Sequence, residues 1–171
     1  VNGAWRRHML ESDSPWYIQR REGVITLEGL RLKGGATDVR LQGEIRQDQV
    51  NLTGGGEFDL ELLEAATSHV GRAEGVGRIS FEQKGERGSA TPAFLVEVED
   101  AFLETPWFPH PFESFSGRVH GEPMGYRFED FRARLGGGKL TGQGRLDAAE
   151  WVPTRFDLEA GLVNGTVQYL D

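Results

Sequence analysis

The chain has 171 residues, 37% of them hydrophobic and 27% charged, proportions that exclude a disordered chain and a bundle of transmembrane helices. Its formal net charge of −8 argues against a nucleic-acid partner, because proteins that bind phosphates non-specifically do so with clustered lysine and arginine. Cysteine is absent, which excludes disulfides and thiolate metal sites. Glycine, with 24 residues, is about twice as frequent as usual and must have structural roles in an ordered chain.

The N-terminal stretch WRRHMLESDSPWYIQRR combines aromatic residues and arginines with acidic residues and serines. We predict an irregular or helical segment end over residues 1–22. The alternatives are stacking of Trp16 and Tyr17 on lipid head groups and continuation of a preceding repeat. Residues 23–171 are predicted to form a single β segment of a longer protein.

Alternation of apolar and polar residues with period two is the dominant pattern of the chain. In VRLQGEI, Val39, Leu41 and Ile45 share one face, and the polar residues share the other. The stretches GGGEFDLEL, GRISFE, FLVEVE and FDLEAGL repeat this pattern, which is typical of a strand with one apolar and one solvated face. Residues 131–146 also parallel residues 30–45, which indicates a stack of similar hairpins.

A helix is predicted at one place, from about Leu62 to Val70, ended by Gly71. Turn signals such as RQD at 46–48 and NG at 164–165 divide the rest into roughly ten to twelve strands. The predicted fold is therefore an all-β antiparallel meander with at most one short helix. Its apolar faces must be covered by another sheet, by the same sheet curled on itself, or by a ligand.

The stretch GGGKLTGQGRLD, residues 136–147, has the glycines and lysine of a phosphate-binding loop. It lacks the serine or threonine that follows lysine in a P-loop. Leu140 stands there instead, and the alternation after it predicts a strand. We predict that Gly142 and Gly144 lie on the inner wall of a curved sheet, where they make room for an apolar ligand rather than a phosphate.

Three prolines interrupt the aromatic stretch ETPWFPHPFESF, residues 104–115. Because proline cannot donate a hydrogen bond to a strand ladder, this stretch is predicted to be a connection or an edge. The simplest interpretation is a loop packed on the core. The functional alternatives are a flap over the apolar face and a site for a partner.

Enzymatic signals are weak. The four histidines, His8, His69, His110 and His120, show no metal-binding spacing. The acidic residues of the strands fall on solvated faces, and no G-x-S-x-G nucleophile motif is present. We predict that the chain is not an enzyme and uses no metal or cofactor; a glycosidase-like carboxylate pair is the alternative that the sequence leaves open.

A family resemblance rests on the order and spacing of these stretches. The succession LRLKGGATDVRLQGEI, LTGGGEFDLELL, GVGRISFEQKG, the proline-containing stretch, YRFEDFRARLGGGKLTGQGRLD and TRFDLEAGLVNG resembles the AsmA-like family of bacterial envelope proteins. The resemblance covers about residues 23–170 and is closest to the TamB branch. It implies an antiparallel sheet curled into a U-shaped trough, a β-taco, with an apolar inner face, and it carries no catalytic motif.

The resemblance also implies a function and a location. Such proteins are anchored in the inner membrane of diderm bacteria, cross the periplasm and are implicated in moving phospholipid to the outer membrane. TamB works with TamA, an outer-membrane barrel of the Omp85 type. The expectation is that this chain is one periplasmic segment that shields phospholipid acyl chains in a hydrophobic groove, with the membrane anchor elsewhere in the full protein.

The residues expected to line this groove are apolar and glycine positions of one strand face. In a β-sandwich the same residues would form an ordinary core. They are Val39, Leu41, Ile45, Phe58, Leu60, Ile79, Phe81, Val96, Val98, Val119, Phe128, Leu135, Leu140, Gly142, Gly144, Leu146, Phe156 and Leu158.

Two other functions stay open from the sequence. One is a protein-binding scaffold that assists the assembly of outer-membrane β-barrel proteins, such as autotransporters, by strand pairing. The other is a closed sandwich that binds sugars or spaces other domains.

Overall fold

The computed structural model describes residues 10–12, 15–149 and 152–166. These residues form eleven strands and one short helix, α1 (Leu62–Ala66), which lies between the fourth and fifth strands. The strands are β1 (Tyr17–Arg21), β2 (Val24–Gly34), β3 (Thr37–Ile45), β4 (Gln49–Asp59), β5 (Arg72–Glu74), β6 (Val76–Glu86), β7 (Pro92–Glu104), β8 (Phe112–Glu122), β9 (Gly125–Leu135), β10 (Gly138–Ala149) and β11 (Val152–Val163).

The strands form one antiparallel sheet in the order β1-β2-β3-β4-β6-β7-β8-β9-β10-β11. Strand β5 pairs with the end of β7 that extends beyond β6, so β5 and β6 run in line. Apart from β5, neighbours in the chain are neighbours in the sheet, which makes the fold a meander. The prediction of an all-β meander of ten to twelve strands is confirmed. The sheet is open and curled, so the closed sandwich is wrong.

Cross-strand register divides the sheet into two faces. Across β3, β4 and β6, one row holds Leu41, Gly54 and Phe81, and the adjacent row begins with Gln42 and Thr53. The first row, together with the residues in register with it on the other strands, lies on one face of the sheet. We call this face the apolar face. The opposite face carries the charged side chains and is called the polar face.

A register shift between Asp147 and Ala148 interrupts the ladder of β10 and β11, and four β-bulges interrupt the other ladders, in β2, β7, β8 and β9. In each, one residue has a left-handed backbone: Gly29 (φ 71°), Asp100 (φ 50°), Ser114 (φ 47°) and Asp130 (φ 55°). A bulge adds a residue to one strand, bends that strand and increases its twist. Because three of the four lie on the adjacent strands β7, β8 and β9, they together bend this part of the sheet.

The most buried cluster of the described residues lies at one end of the apolar face. Leu60, Ala73 and Ala101 are buried there, and Leu63 of α1 and Val70 pack against them. Leu63 and Val70 thus cover this end of the face, and they supply the second layer that a sheet needs to bury apolar side chains.

The helix is shorter than predicted, since α1 ends at Ala66 rather than near Val70. Thr67 has an extended backbone (φ −147°), and its N–H donates to the carbonyl oxygen of Leu63. The Thr67 hydroxyl then accepts a hydrogen bond from the His69 N–H at 3.2 Å. This local bond competes with helix continuation, as threonine side chains commonly do.

The expected irregular end over residues 1–22 is wrong at 17–21, which form β1 on the edge of β2. Glu22 (φ 47°) and Gly23 (φ 82°) make the turn between them, a conformation that suits the twist of a two-residue hairpin. Residues 1–9, with His8, lie outside the described residues. The described residues contain no helix that is long and apolar enough to cross a membrane.

Candidate functional site: the apolar face of the sheet

The apolar face is only partly covered. Seven hydrophobic side chains of the described residues are buried, and four of these are alanines. Among the described residues, no large side chain is fully buried, although a compact domain of this size buries many. Over most of the apolar face, the side chains therefore contact neighbouring strands of the same sheet, and no second layer of described residues covers them.

The predicted lining residues fall into three groups. Fourteen of the eighteen are half-buried on the apolar face, in β3, β4 and β6 to β10. Phe156 and Leu158 lie on the same face of the edge strand β11 but are 66% and 58% exposed. Leu60 and Leu135 are buried, at 4% and 3% exposure.

Leu60 does not line an open surface. It follows the last residue of β4 and packs in the buried cluster with Ala73 and Ala101. Its N–H donates to the carbonyl oxygen of Gly75 at 3.0 Å. The period-two alternation that placed Leu60 on the lining ends with β4, so Leu60 belongs to the core at the α1 end.

Large side chains cover several of the glycines on the apolar face. A Cβ at Gly77 would lie 2.6 Å from the Phe58 ring, and one at Gly121 would lie 2.1 Å from the Phe94 ring. Each glycine lets a neighbouring ring lie flat along the sheet, an arrangement that also stabilises glycine in strands. The face is therefore smooth at these positions rather than pitted.

Gly142 and Gly144 differ from each other in whether a neighbouring side chain covers them. A Cβ at Gly144 would lie 2.5 Å from both the Asp157 carbonyl oxygen and the Leu158 Cδ2 atom. At Gly142 the closest atom is the Glu159 carbonyl oxygen at 3.2 Å, and the nearest side-chain atoms are 3.9 Å away. The space above Gly144 is filled by Leu158, whereas no side chain covers Gly142 and a Cβ there is crowded only by the Glu159 carbonyl oxygen.

Several aromatic residues of the apolar face were missed as lining by the sequence reasoning. Phe131 packs on Phe115 and on Phe128, with ring centroids 5.3 and 5.5 Å apart. Phe94 packs on Tyr126 at 6.2 Å. A signal was present for Phe94, which alternates with Val96 and Val98, but the bulge at Asp130 hides Phe131 from a strict period of two.

The proline-containing stretch is confirmed as a connection over residues 105–111, which join β7 to β8, but Glu104 and residues 112–115 lie in those two strands. The Trp107 ring packs at a tilt against His69, which follows α1, with centroids 4.9 Å apart. Phe108 packs on Phe112 at 5.3 Å. The loop therefore lies at the end of the apolar face that α1 occupies. Trp107 remains 60% exposed.

The polar face carries rows of alternating charge. Glu57, Arg78, Glu97, Arg118 and Glu129 stand opposite one another across five strands, and opposite-charge neighbours stabilise a sheet. A depression of about 940 Å³ on this face is lined by side chains of both signs. Because no charge of one sign is concentrated there, we place the candidate site on the apolar face.

One ion pair of the polar face lowers the pKa of an aspartate. Arg31 donates from Nε to Asp38 Oδ1 at 2.6 Å and from a terminal nitrogen to the other carboxylate oxygen. This hydrogen bonding, and the positive charge of Arg31, hold the pKa of Asp38 below its ordinary value, against a smaller opposing effect of desolvation.

The described histidines do not lie together in one cluster. His69 packs against Trp107, His120 Nε2 lies 3.2 Å from Glu129 Oε2, and His110 lies in the connection between β7 and β8. No group of three or more histidine, aspartate or glutamate side chains placed to hold a metal occurs in the described part of the chain.

Comparisons with known proteins do not show a family for this chain. No family model matches the chain, and no solved structure matches it. It is similar to the muscle M-line assembly protein unc-89 of Caenorhabditis elegans, with 29% identity over 102 residues. The match covers 58% of this chain but 1% of the muscle protein.

Proposed function

We propose that this chain is a segment of an AsmA-like envelope protein of the TamB branch that shields phospholipid acyl chains on its apolar face. The observation that carries the proposal is the single-layered sheet, whose apolar face has a second layer only at the α1 end among the described residues. Contiguous uncovered apolar surfaces mark binding sites for apolar partners. The family resemblance supplies the choice of phospholipid.

The dimensions and energetics suit an acyl chain. Ten strands follow one another in the sheet, and their spacing of about 4.8 Å gives a surface of roughly 43 Å along the curve. One leaflet of hydrocarbon is about 15 Å thick. Each buried methylene stabilises a bound chain by about 0.8 kcal/mol. The smooth covering of the glycines favours sliding of the chain rather than fixation in a pocket.

The cellular setting belongs to the same proposal. A protein of this type would be anchored in the inner membrane, cross the periplasm and meet an outer-membrane barrel of the Omp85 type, as TamB meets TamA. In that setting the polar face, with its paired charges, contacts water while the apolar face holds lipid. The sequence match to the muscle protein contributes nothing to this choice, because the chain spans about 1% of that protein.

Lipid capture tests the proposal. The purified, delipidated chain is incubated with vesicles of phosphatidylethanolamine and phosphatidylglycerol, separated from them and extracted for mass spectrometry. We expect co-purified phospholipid, and we expect Leu140→Asp, on the apolar face, to reduce it more than Thr141→Asp on the polar face. Absence of phospholipid from the folded wild-type chain, or equal loss in both variants, would contradict the proposal.

The second candidate function is the strand-pairing scaffold for outer-membrane β-barrel proteins. One observation favours it: β11 pairs with β10 on one side, and no other described strand pairs with its free edge. Unpaired strand edges accept extended segments by main-chain hydrogen bonding. A scaffold of this kind would capture unfolded barrel strands whether or not lipid is bound.

A further inference from the structure

The apolar surface continues beneath α1. Phe58 and Val98, which belong to the apolar face, also pack against the buried cluster, as do Leu103 of β7 and Phe115 of β8. From Val98 to Leu103 the strand runs for about 17 Å, and one leaflet of hydrocarbon is about 15 Å thick. The surface beneath α1 is therefore long enough for one acyl chain.

A short segment of the chain occupies this surface. It consists of residues 61–71, which include α1, and we call it the cover segment. Its Leu63 and Val70 side chains pack on the buried cluster, and the Glu64 carboxylate accepts a hydrogen bond from the Ala73 N–H at 2.8 Å. The cover segment therefore places hydrocarbon on the surface, as an acyl chain would.

The backbone of the cover segment is held to the sheet at its two ends. The Leu60 N–H donates to the Gly75 carbonyl oxygen at 3.0 Å, and the Gly71 N–H donates to the Glu104 carbonyl oxygen at 2.8 Å. Between these bonds, no backbone hydrogen bond joins the segment to a strand of the described residues. Helix α1 has five residues, none of them buried, and a helix this short is not stable alone. Segments held by so few bonds and contacts open at the lowest cost.

We propose that an acyl chain displaces the cover segment and extends the lipid site over the surface beneath it. The inference rests on the proposed function, because it takes phospholipid as the ligand of the apolar face. Leu63 and Val70 leave the surface, and methylene groups of the chain take their place. Since hydrocarbon replaces hydrocarbon, this part of the sheet stays covered with and without lipid.

Photocrosslinking from two positions detects lipid beneath the cover segment and outside it. Leu103 packs against the buried cluster, whereas Leu140 lies on the uncovered part of the apolar face. A diazirine residue close in size to leucine is placed at one position or the other in the full chain, which is then incubated with vesicles of phosphatidylethanolamine and phosphatidylglycerol. We expect phospholipid adducts from both positions.

A chemical cross-link tests whether the cover segment has to move. The sequence contains no cysteine, so His69→Cys and Trp107→Cys together supply the two thiols that a short bismaleimide joins. The two native rings lie 4.9 Å apart and both residues are exposed, so the link holds the segment closed. We expect adducts from Leu103 to fall at least about fivefold and those from Leu140 to persist. The control is the same variant with each thiol blocked by N-ethylmaleimide.

The hydrogen bond of Glu64 provides a test without a cross-link. Glu64 is exposed, so Glu64→Ala removes the bond to Ala73 and leaves the apolar contacts of Leu63 and Val70 in place. Ala73 is 1% exposed, and loss of the partner of its N–H disfavours the closed state. We expect adducts from Leu103 to rise at least about twofold. Glu64→Gln keeps an acceptor oxygen and is the matched control, with adducts equal to wild type.

The outcomes separate this inference from the proposed function. Adducts from Leu140 with none from Leu103 in the unlinked chain overturn the inference and leave the proposed function in place. Equal adducts from Leu103 in the linked and blocked forms also overturn it, because lipid then reaches this surface without displacing the cover segment. Absence of adducts from both positions in a folded chain contradicts the proposed function itself. A loss confined to Leu103 on linking, and absent from the blocked control, supports the inference.

Discussion

Phe131 of β9 lies directly against the backbone of Gly117 on β8, so closely that a Cβ at Gly117 would lie 2.1 Å from the Phe131 Cδ1 atom. The Phe131 ring is held from two other directions by Phe115 and Phe128. Gly117 is therefore a packing position, where the missing side chain is replaced by a ring from the neighbouring strand.

Gly117→Ala is expected to destabilise the fold by about 1–3 kcal/mol, because the new methyl group forces the Phe131 ring out of its packed position. Gly161→Ala is the matched control. A Cβ there has only the Thr141 hydroxyl oxygen nearby, at 3.7 Å, so we expect a change within about 0.5 kcal/mol. Chemical denaturation followed by circular dichroism measures both variants, and equal stability of the two would contradict this account of Gly117.

The bulge in β8 predicts opposite effects of one substitution at two serines. Ser114 has a left-handed backbone (φ 47°), which a β-branched residue adopts only with strain. Ser114→Val is therefore expected to destabilise the sheet by about 1–2 kcal/mol. Ser80→Val, on an exposed position within β6, is expected to be neutral or stabilising, because valine favours strands. Thermal unfolding compares the two, and a neutral Ser114→Val would argue against the bulge.

The pair of Arg31 and Asp38 predicts a change in pH dependence. Because the pKa of Asp38 is lowered in the folded chain from its ordinary value of 3.8, its contribution to stability is present above that value. The contribution is lost as the pH falls through the lower, folded pKa. Arg31→Met is expected to return the Asp38 pKa toward 3.8 in an NMR titration. Lys33→Met removes a weaker charge effect and should change the Asp38 pKa less.

Gly142 and Gly144 of β10 predict different outcomes for the same substitution. Gly142→Leu adds a side chain on the apolar face where the nearest side-chain atoms lie 3.9 Å from the new Cβ and only the Glu159 carbonyl oxygen, at 3.2 Å, has to shift slightly. We therefore expect a folded chain that retains less than half the phospholipid of wild type. Gly144→Leu meets Leu158 and the Asp157 backbone, and should instead destabilise the pairing of β10 and β11 by about 1–3 kcal/mol.

Gln143→Leu is the control for this pair, because it adds the same side chain on the polar face. It should leave phospholipid retention unchanged. Retention by Gly142→Leu equal to that of the Gln143→Leu control would contradict the assignment of the apolar face as the lipid site.

The architecture was predictable from the sequence because alternation fixes both strand positions and faces. In β3, the positions of Val39, Leu41 and Ile45 were predicted on one face, and the register confirms them there. The strand that follows the glycines of residues 136–138 was predicted from the alternation after Leu140, and β10 confirms it. These features depend on neighbours in sequence alone, which is why a single chain is sufficient to predict them.

The bulges and the packing over glycine were not predicted, because they depend on contacts between strands. The sequence does carry a trace of each bulge, since apolar spacing lengthens from two residues to three between Val98 and Ala101 and between Phe128 and Phe131. The side chain that fills the space above Gly144, however, belongs to Leu158, fourteen residues away. Only the register identifies such partners.

Site-specific photocrosslinking tests the central claim most directly. A photoreactive residue is placed at Leu140 or Leu146 on the apolar face, or at Thr141 or Gln143 on the polar face, of the same strand. After incubation with phosphatidylethanolamine and phosphatidylglycerol vesicles, we expect phospholipid adducts from Leu140 and Leu146 and none from Thr141 and Gln143. Adducts of equal yield from both faces, or none from the apolar face of a folded chain, would contradict the claim that this face shields acyl chains.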